Sequence, residues 1–127
     1  MKKLLMILTA FVFVATLASC GEKGYTNITN EELKTMLANP DDYQFVDVRT
    51  ISEYYDSHVP GFNILIDYYI LEDDYSGLDV LDKDKPVVLM CRTGNRSVLT
   101  AEIMAREGFT EIYNLTDGIT GWDGETE

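Results

Sequence analysis

Short apolar runs alternate with segments of helical spacing along the chain, which is typical of an α/β fold. Five runs rich in β-branched and aromatic residues are predicted as strands: residues 25–28, 44–48, 62–66, 87–90 and 111–115. The run 87–90 is apolar without interruption, which indicates a central strand covered on both faces. Because helical segments separate the strands, we expect a mostly parallel five-stranded sheet flanked by helices.

Two helices are predicted from their first residues. Thr29 is followed three positions later by Glu32, and Thr50 is followed at the same distance by Glu53. This spacing is the capping box, in which each side chain accepts a hydrogen bond from the backbone N–H of the other residue. A third helix is predicted over residues 98–107, where apolar residues recur with helical spacing.

The first residues of the chain have the features of an export signal. Residues 1–3 are basic at two positions, residues 4–17 are almost entirely apolar, and Leu17-Ala18-Ser19-Cys20 resembles the bacterial lipobox. The apolar run is too short to span a bilayer, and it has the length of a signal-peptide core. The resemblance implies cleavage before Cys20 and a lipid on its thiol; an ordinary signal peptide with an incidental cysteine is the alternative.

These features predict three segments and a location. Residues 1–19 are the signal peptide, residues 20–24 a lipidated tether, and residues 25–127 one folded domain. We therefore expect an exported lipoprotein, anchored in a membrane and facing the periplasm or the cell exterior.

The chain is strongly acidic, and this limits its partners. Its formal charge is −12, and loss of Lys2 and Lys3 with the signal peptide makes it −14. Such a charge repels nucleic acid and anionic membrane surfaces. We expect no nucleic-acid partner.

Cys91 stands between the predicted strand 87–90 and the predicted helix 98–107. The residues that follow it are Arg92, Thr93, Gly94, Asn95 and Arg96. Backbone N–H groups at a helix start are unpaired and stabilise an anion in front of them. Because the thiolate is the reactive form of cysteine, we predict that Cys91 is a nucleophile activated by the loop amides and the two arginines. A buried, inert cysteine is the alternative.

Three stretches of the sequence together resemble a rhodanese domain. They are Asp47-Val48-Arg49 with His58-Val59-Pro60-Gly61, the loop 91–97, and Tyr113-Asn114-Leu115-Thr116-Asp117-Gly118 ending at Trp122. The chain departs from the family pattern in two places. Ser57 stands where a glycine usually precedes the histidine, and one residue rather than two lies between Gly61 and Asn63.

The resemblance implies a rhodanese-like fold and sulfur chemistry. A sulfurtransferase of this family moves a sulfane sulfur from a donor such as thiosulfate to a thiophilic acceptor. Cys91 would carry the sulfur as a persulfide, and Arg92, Thr93, Gly94, Asn95 and Arg96 would bind the donor. Four residues separate Cys91 from Arg96, the spacing associated with sulfur transfer; related phosphatases and arsenate reductases have five.

The predicted partners are therefore a small anionic sulfur donor, a thiol or cyanide-type acceptor, and the membrane through the lipid on Cys20. We expect a monomer that needs no cofactor. Two other functions stay open: a non-catalytic rhodanese-like module that binds a partner or senses sulfur, and a thiol-redox protein that forms mixed disulfides through Cys91.

The remaining polar residues of the motifs are expected to have structural roles. Asp47 and Arg49 lie at a predicted strand end, where such residues usually form structural pairs, and Glu53 is an available partner for Arg49. His58, the only histidine, lies in a Pro-Gly turn. The sequence contains no group of His, Cys and carboxylate residues spaced as metal ligands, so we expect no metal.

Overall fold

A computed structural model describes residues 23–127 of the chain. The predicted signal peptide, most of the tether and the lipidation site Cys20 lie outside the described residues and stay predictions. Within residues 23–127, no helix is long and apolar enough to cross a membrane.

The described chain forms five strands, four α-helices and three 3-10 turns. The strands are β1 (Thr26–Ile28), β2 (Gln44–Asp47), β3 (Ile64–Leu65), β4 (Val87–Met90) and β5 (Ile112–Leu115). The α-helices are α1 (Asn30–Leu37), α2 (Ile51–Asp56), α3 (Tyr68–Leu71) and α4 (Asn95–Arg106). The 3-10 turns cover Pro40–Asp42, Tyr75–Val80 and Ile119–Gly121.

The strands form one parallel sheet in the order β1-β5-β4-β2-β3. This arrangement confirms the predicted five-stranded α/β fold. Strand β4 is central, between β5 and β2, and the carboxyl ends of these three strands lie at the same edge of the sheet. Residues that follow β2 and β5 are thereby brought to the residue that follows β4, which is Cys91.

The apolar run of β4 is buried on both faces, as predicted. Val87, Val88, Leu89 and Met90 are all inaccessible to solvent. Side chains alternate along a strand, so Val87 and Leu89 join the core under α4, whereas Val88 and Met90 join the core that includes Leu33 of α1. The strand that precedes Cys91 is therefore fixed by packing from both sides.

Both predicted capping boxes are present. The Thr29 hydroxyl accepts a hydrogen bond from the Glu32 amide at 3.2 Å, and the Thr50 hydroxyl accepts one from the Glu53 amide at 3.3 Å. The two glutamates accept in return from the Thr29 and Thr50 amides. Glu53 is thus held at the first turn of α2, with its carboxylate at a defined place.

Two predicted boundaries were wrong. Strand β3 has two residues rather than the five of the prediction, because the Phe62 amide donates to the Val59 carbonyl in a turn and its ring is buried in the core. Helix α4 begins at Asn95, three residues before the predicted start. The earlier start moves the first amides of α4 closer to Cys91.

Candidate active site

Cys91 lies directly after β4, where the chain turns into α4. Its side chain is 1% exposed, and it is a free thiol. The Gly94 amide donates a hydrogen bond to the Cys91 sulfur at 3.0 Å, and the Ser97 hydroxyl lies 3.3 Å from the same sulfur. Two donors therefore converge on Sγ, which is the arrangement that stabilises a thiolate or a sulfur anion bonded to it.

Gly94 is required at its position for two reasons. Its φ of +96° lies in the left-handed region, where residues with a side chain are strained. A Cβ atom at this position would also collide with the Thr116 carbonyl oxygen. Because residue 94 has no side chain, the loop can turn tightly enough for its amide to point at Sγ.

Ser97 is a site residue that the sequence analysis missed. Its side chain is completely buried, and its hydroxyl lies within hydrogen-bond distance of two acceptors, Sγ of Cys91 and the Gly94 carbonyl at 3.2 Å. A hydroxyl has one proton, so it donates to one of them at a time. The signal in the sequence was a hydroxyl directly before the predicted helix 98–107, six residues after Cys91.

The turn after β5 holds the other side of the loop. The Ile119 amide donates to the Cys91 carbonyl at 2.9 Å, and the Thr120 amide and hydroxyl donate to the Arg92 carbonyl at 3.1 and 3.0 Å. Gly118 makes this approach possible, because a Cβ there would collide with both carbonyl groups. The third motif of the sequence therefore acts on the loop backbone.

Arg96 pairs with a carboxylate of α2. Its Nη1 and Nη2 atoms donate to Oε1 and Oε2 of Glu53 at 2.7 and 2.8 Å, and its guanidinium lies 5.4 Å from the centre of the Tyr69 ring. The hydrogen bonds from Arg96 lower the pKa of Glu53 to about 2. Glu53 takes one N–H from each terminal nitrogen, of the five N–H donors that a guanidinium carries.

The carboxylate partner of Arg49 is not Glu53, which the sequence offered as an available partner. That partner is Asp47, whose carboxylate accepts from Nε and Nη2 of Arg49, the latter at 2.8 Å. Arg49 also donates to the backbone carbonyls of Glu53 and Ser57. The pair is buried and ties the end of β2 to α2, which agrees with a structural role.

His58 is directed away from the loop. Its ring stacks on Tyr54 with 4.0 Å between centroids, its Nδ1 lies 3.1 Å from the Tyr54 carbonyl oxygen, and its Nε2 lies 3.2 Å from Glu127 Oε1. All its side-chain contacts are thus with α2 and with the last residue of the chain. This geometry favours the structural role expected for His58.

Arg92, Thr93 and Asn95 are exposed on the outer side of the loop. Within the part of the chain that the structure describes, Arg92 forms no ion pair. It lines a cavity of about 400 Å³ whose wall also includes Asp56 and Thr120, but not Cys91. Arg92 is therefore the loop cation available to an anion; the binding roles of all five loop residues stay predictions.

The described residues contain no group of three or more His, Cys, Asp and Glu side chains that could hold a metal ion. What the arrangement offers instead is one sulfur with directed hydrogen-bond donors and a nearby guanidinium. Such a site can hold an extra sulfur atom or a sulfur anion on the cysteine.

A comparison with family models matches residues 29–125 to the rhodanese-like domain. Among named relatives, the thiosulfate sulfurtransferase GlpE of Glaesserella parasuis is 29% identical over 102 residues, which cover 80% of this chain and 89% of GlpE. YrkF of Bacillus subtilis is 28% identical over 100 residues, and the match spans 52% of YrkF, about half of its length.

A similar structure is that of a rhodanese-like domain protein from Staphylococcus aureus. It is 30% identical, with a TM-score of 0.66, and the match covers 79% of this chain and 93% of that one.

The Glu53–Arg96 pair makes a pH-dependent contribution to stability. The pKa of Glu53 is lowered from 4.5 to about 2, so the ionised pair stabilises the fold above pH 4.5 and this contribution is lost as the pH falls toward 2. We predict that Glu53→Gln, which keeps the capping box, lowers the free energy of unfolding by about 2 kcal/mol near neutral pH. The loss should shrink below pH 4.5.

Urea unfolding of both proteins between about pH 7 and pH 3 measures this difference. The matched control is Glu102→Gln, which neutralises an exposed carboxylate on α4. A loss of stability that stays constant over the whole pH range would contradict the pairing.

Proposed function

Because this chain belongs to the rhodanese-like domain family, we propose that it is a sulfurtransferase that carries a sulfane sulfur on Cys91. The observation that supports this most is the convergence of the Gly94 amide and the Ser97 hydroxyl on the Cys91 sulfur. The same two donors can stabilise the thiolate before the reaction and the persulfide after it.

The proposed reaction has two steps and needs no oxidant or cofactor. The Cys91 thiolate attacks the outer sulfur of thiosulfate, an S–S bond to Cys91 forms, and the S–S bond of thiosulfate breaks to release sulfite. A thiolate or cyanide then attacks the outer sulfur of the persulfide. The bond to Cys91 breaks, its thiolate is regenerated, and the acceptor leaves with the sulfur.

The size of the loop supports sulfur transfer over phosphate chemistry. Four residues separate Cys91 from Arg96, the spacing associated with sulfur transfer, whereas related phosphatases have five. The unpaired Arg92 at the cavity beside the loop fits the binding of a small anion such as thiosulfate before it reaches the sulfur.

A carrier or sensor of sulfane sulfur is the second candidate. The observation that favours it is the burial of Cys91, which is 1% exposed. A buried persulfide is protected from solvent and would be held rather than turned over. Gain of one sulfur atom on Cys91 after exposure to a donor, without release to any acceptor, would identify this function.

We also propose that the protein acts outside the cytoplasm, anchored in a membrane by a lipid on Cys20. This rests on the lipobox-like sequence that ends at Cys20. Once Cys20 is acylated, Cys91 is the one free thiol of the mature chain. No second thiol is then present with which it could form an intramolecular disulfide.

Thiosulfate:cyanide assays test the role of the loop. Cys91→Ala should reduce the rate to that without enzyme, because no persulfide can form. Ser97→Ala should lower kcat/KM by about three- to tenfold, the value of one hydrogen bond to the reacting sulfur. The control is Ser52→Ala, an exposed serine on α2, which should have no effect. Equal rates for the Cys91→Ala variant and the unchanged protein would reject catalysis.

Acyl labelling in a bacterial host tests the anchor. The unchanged protein and Cys91→Ala should incorporate labelled fatty acid and sediment with membranes. Cys20→Ala should do neither, because the acceptor thiol is absent. Membrane retention of the Cys20→Ala variant, or an unchanged protein without label, would show that the lipid proposal is wrong.

A further inference from the structure

An apolar groove opens between α3 and the 3-10 turn Tyr75–Val80. It encloses about 340 Å³, and its wall includes Leu71 with Ile70 and Val80 at the rim. Ile70 is 68% exposed and Val80 is 72% exposed. Two large aliphatic side chains facing water beside a groove are unusual enough in a small domain to call for a partner.

Further exposed apolar side chains lie in the same part of the sequence. The described chain has seven large apolar side chains that are exposed, and six of them lie between residues 51 and 80: Ile51, Tyr55, Tyr69, Ile70, Tyr75 and Val80. Tyrosine is enriched at protein interfaces because it buries a large ring and keeps a polar tip. Two of these tyrosines, Tyr69 and Tyr75, are chain neighbours of residues that line the groove. We call the groove with Tyr69 and Tyr75 the tyrosine surface.

This surface is also acidic. Residues 67–80, which include α3 and the 3-10 turn, contain five acidic side chains and no lysine or arginine. Within the groove, Asp67 and Asp74 each use Oδ1 to cap a backbone amide, that of Tyr69 at 2.9 Å and that of Ser76 at 3.0 Å. Neither carboxylate has a cation as partner in the described chain. A basic ligand would find both an apolar wall and unneutralised charge here.

The tyrosine surface adjoins the catalytic loop through Arg96. Glu53 of α2 forms the bidentate pair with Arg96, and the Tyr69 ring of α3 lies on the same guanidinium. Helices α2 and α3 thus both contact Arg96, the residue five positions after Cys91. A molecule bound at α3 would lie next to Arg96 and beside the loop that carries Cys91.

We propose that the tyrosine surface binds a protein whose docking face is basic and apolar and presents a cysteine, the acceptor of the Cys91 sulfur. The inference rests on the proposed function. The long stems of lysine and arginine are apolar and their heads are charged, so they match a groove with Ile70 and Val80 at its rim and Asp67 and Asp74 in its wall. A second copy, of equal negative charge, would be repelled, as would an anionic membrane.

The transfer step is balanced without a further reactant. The acceptor thiolate attacks the outer sulfur of the Cys91 persulfide, a new S–S bond forms on the acceptor, and the bond to Cys91 breaks to return its thiolate. The outer sulfur lies roughly 2 Å beyond Sγ, the length of an S–S bond. This outer sulfur, rather than the buried Sγ, is the atom that the partner thiol has to reach.

The test compares two cysteine peptides of equal length as acceptors, one with lysine and phenylalanine around the cysteine and one with glutamate in place of lysine. The persulfide-loaded protein should transfer sulfur to the basic peptide about tenfold faster or more at low ionic strength. The ratio of the transfer rate with the basic peptide to that with the acidic peptide should fall toward one in about 1 M salt, where screening is nearly complete.

Variants locate the effect on the surface. The double variant Asp67→Asn with Asp74→Asn keeps both caps, since asparagine caps as well as aspartate. It should abolish most of the preference for the basic peptide. The double variant Ile70→Ser with Val80→Ser should slow transfer to the basic peptide. The control, Asp41→Asn with Asp42→Asn, removes two exposed charges after α1 and should leave the preference intact. Cyanide should accept sulfur at the same rate in all variants.

Three results would overturn the proposal. The first is equal transfer rates with both peptides, and the second is a preference that Asp67→Asn with Asp74→Asn leaves unchanged. The third is a dimer in sedimentation that Ile70→Ser dissociates, which would assign the surface to a second copy. Binding of the fluorescent basic peptide to the Cys91→Ser protein needs no sulfur chemistry. Peptide binding without any transfer to cyanide would therefore reject the proposed function and still support the surface.

Discussion

The hydrogen bond from the Gly94 amide to the Cys91 sulfur is the constraint on which the site depends. It requires that α4 begin four residues after the cysteine, which in turn requires a residue in the left-handed conformation with no side chain. The Thr116 carbonyl occupies the space that a side chain at position 94 would need. The sulfur is thus held by backbone geometry, which substitutions of neighbouring surface residues leave intact.

Sheet order explains how distant segments reach this loop. In a parallel sheet, the segments that follow the carboxyl ends of adjacent strands lie together, and ligand sites form there. Strand β5 brings the turn that binds the Cys91 and Arg92 carbonyls, and β2 leads into α2, which supplies Glu53. Arg96 then connects the loop to both α2 and α3. The Tyr69 ring of α3 lies on the guanidinium of Arg96.

Much of this arrangement could be predicted from local patterns. The capping boxes at Thr29 and Thr50, the buried run of β4 and the position of Cys91 between a strand and a helix all depend on nearby residues. The partner of Glu53 could not be predicted, because Arg49 and Arg96 are both candidates in the sequence and the choice depends on where the fold places α2 relative to the loop 91–97. The role of Ser97 was missed because α4 begins three residues before the predicted start.

The most direct test of the account is a crystal structure of the protein after treatment with thiosulfate. We predict one additional sulfur bonded to Sγ of Cys91 at about 2 Å, with the loop unchanged and Arg96 still paired with Glu53. An unmodified Cys91, or a sulfur on any other residue, would contradict the account.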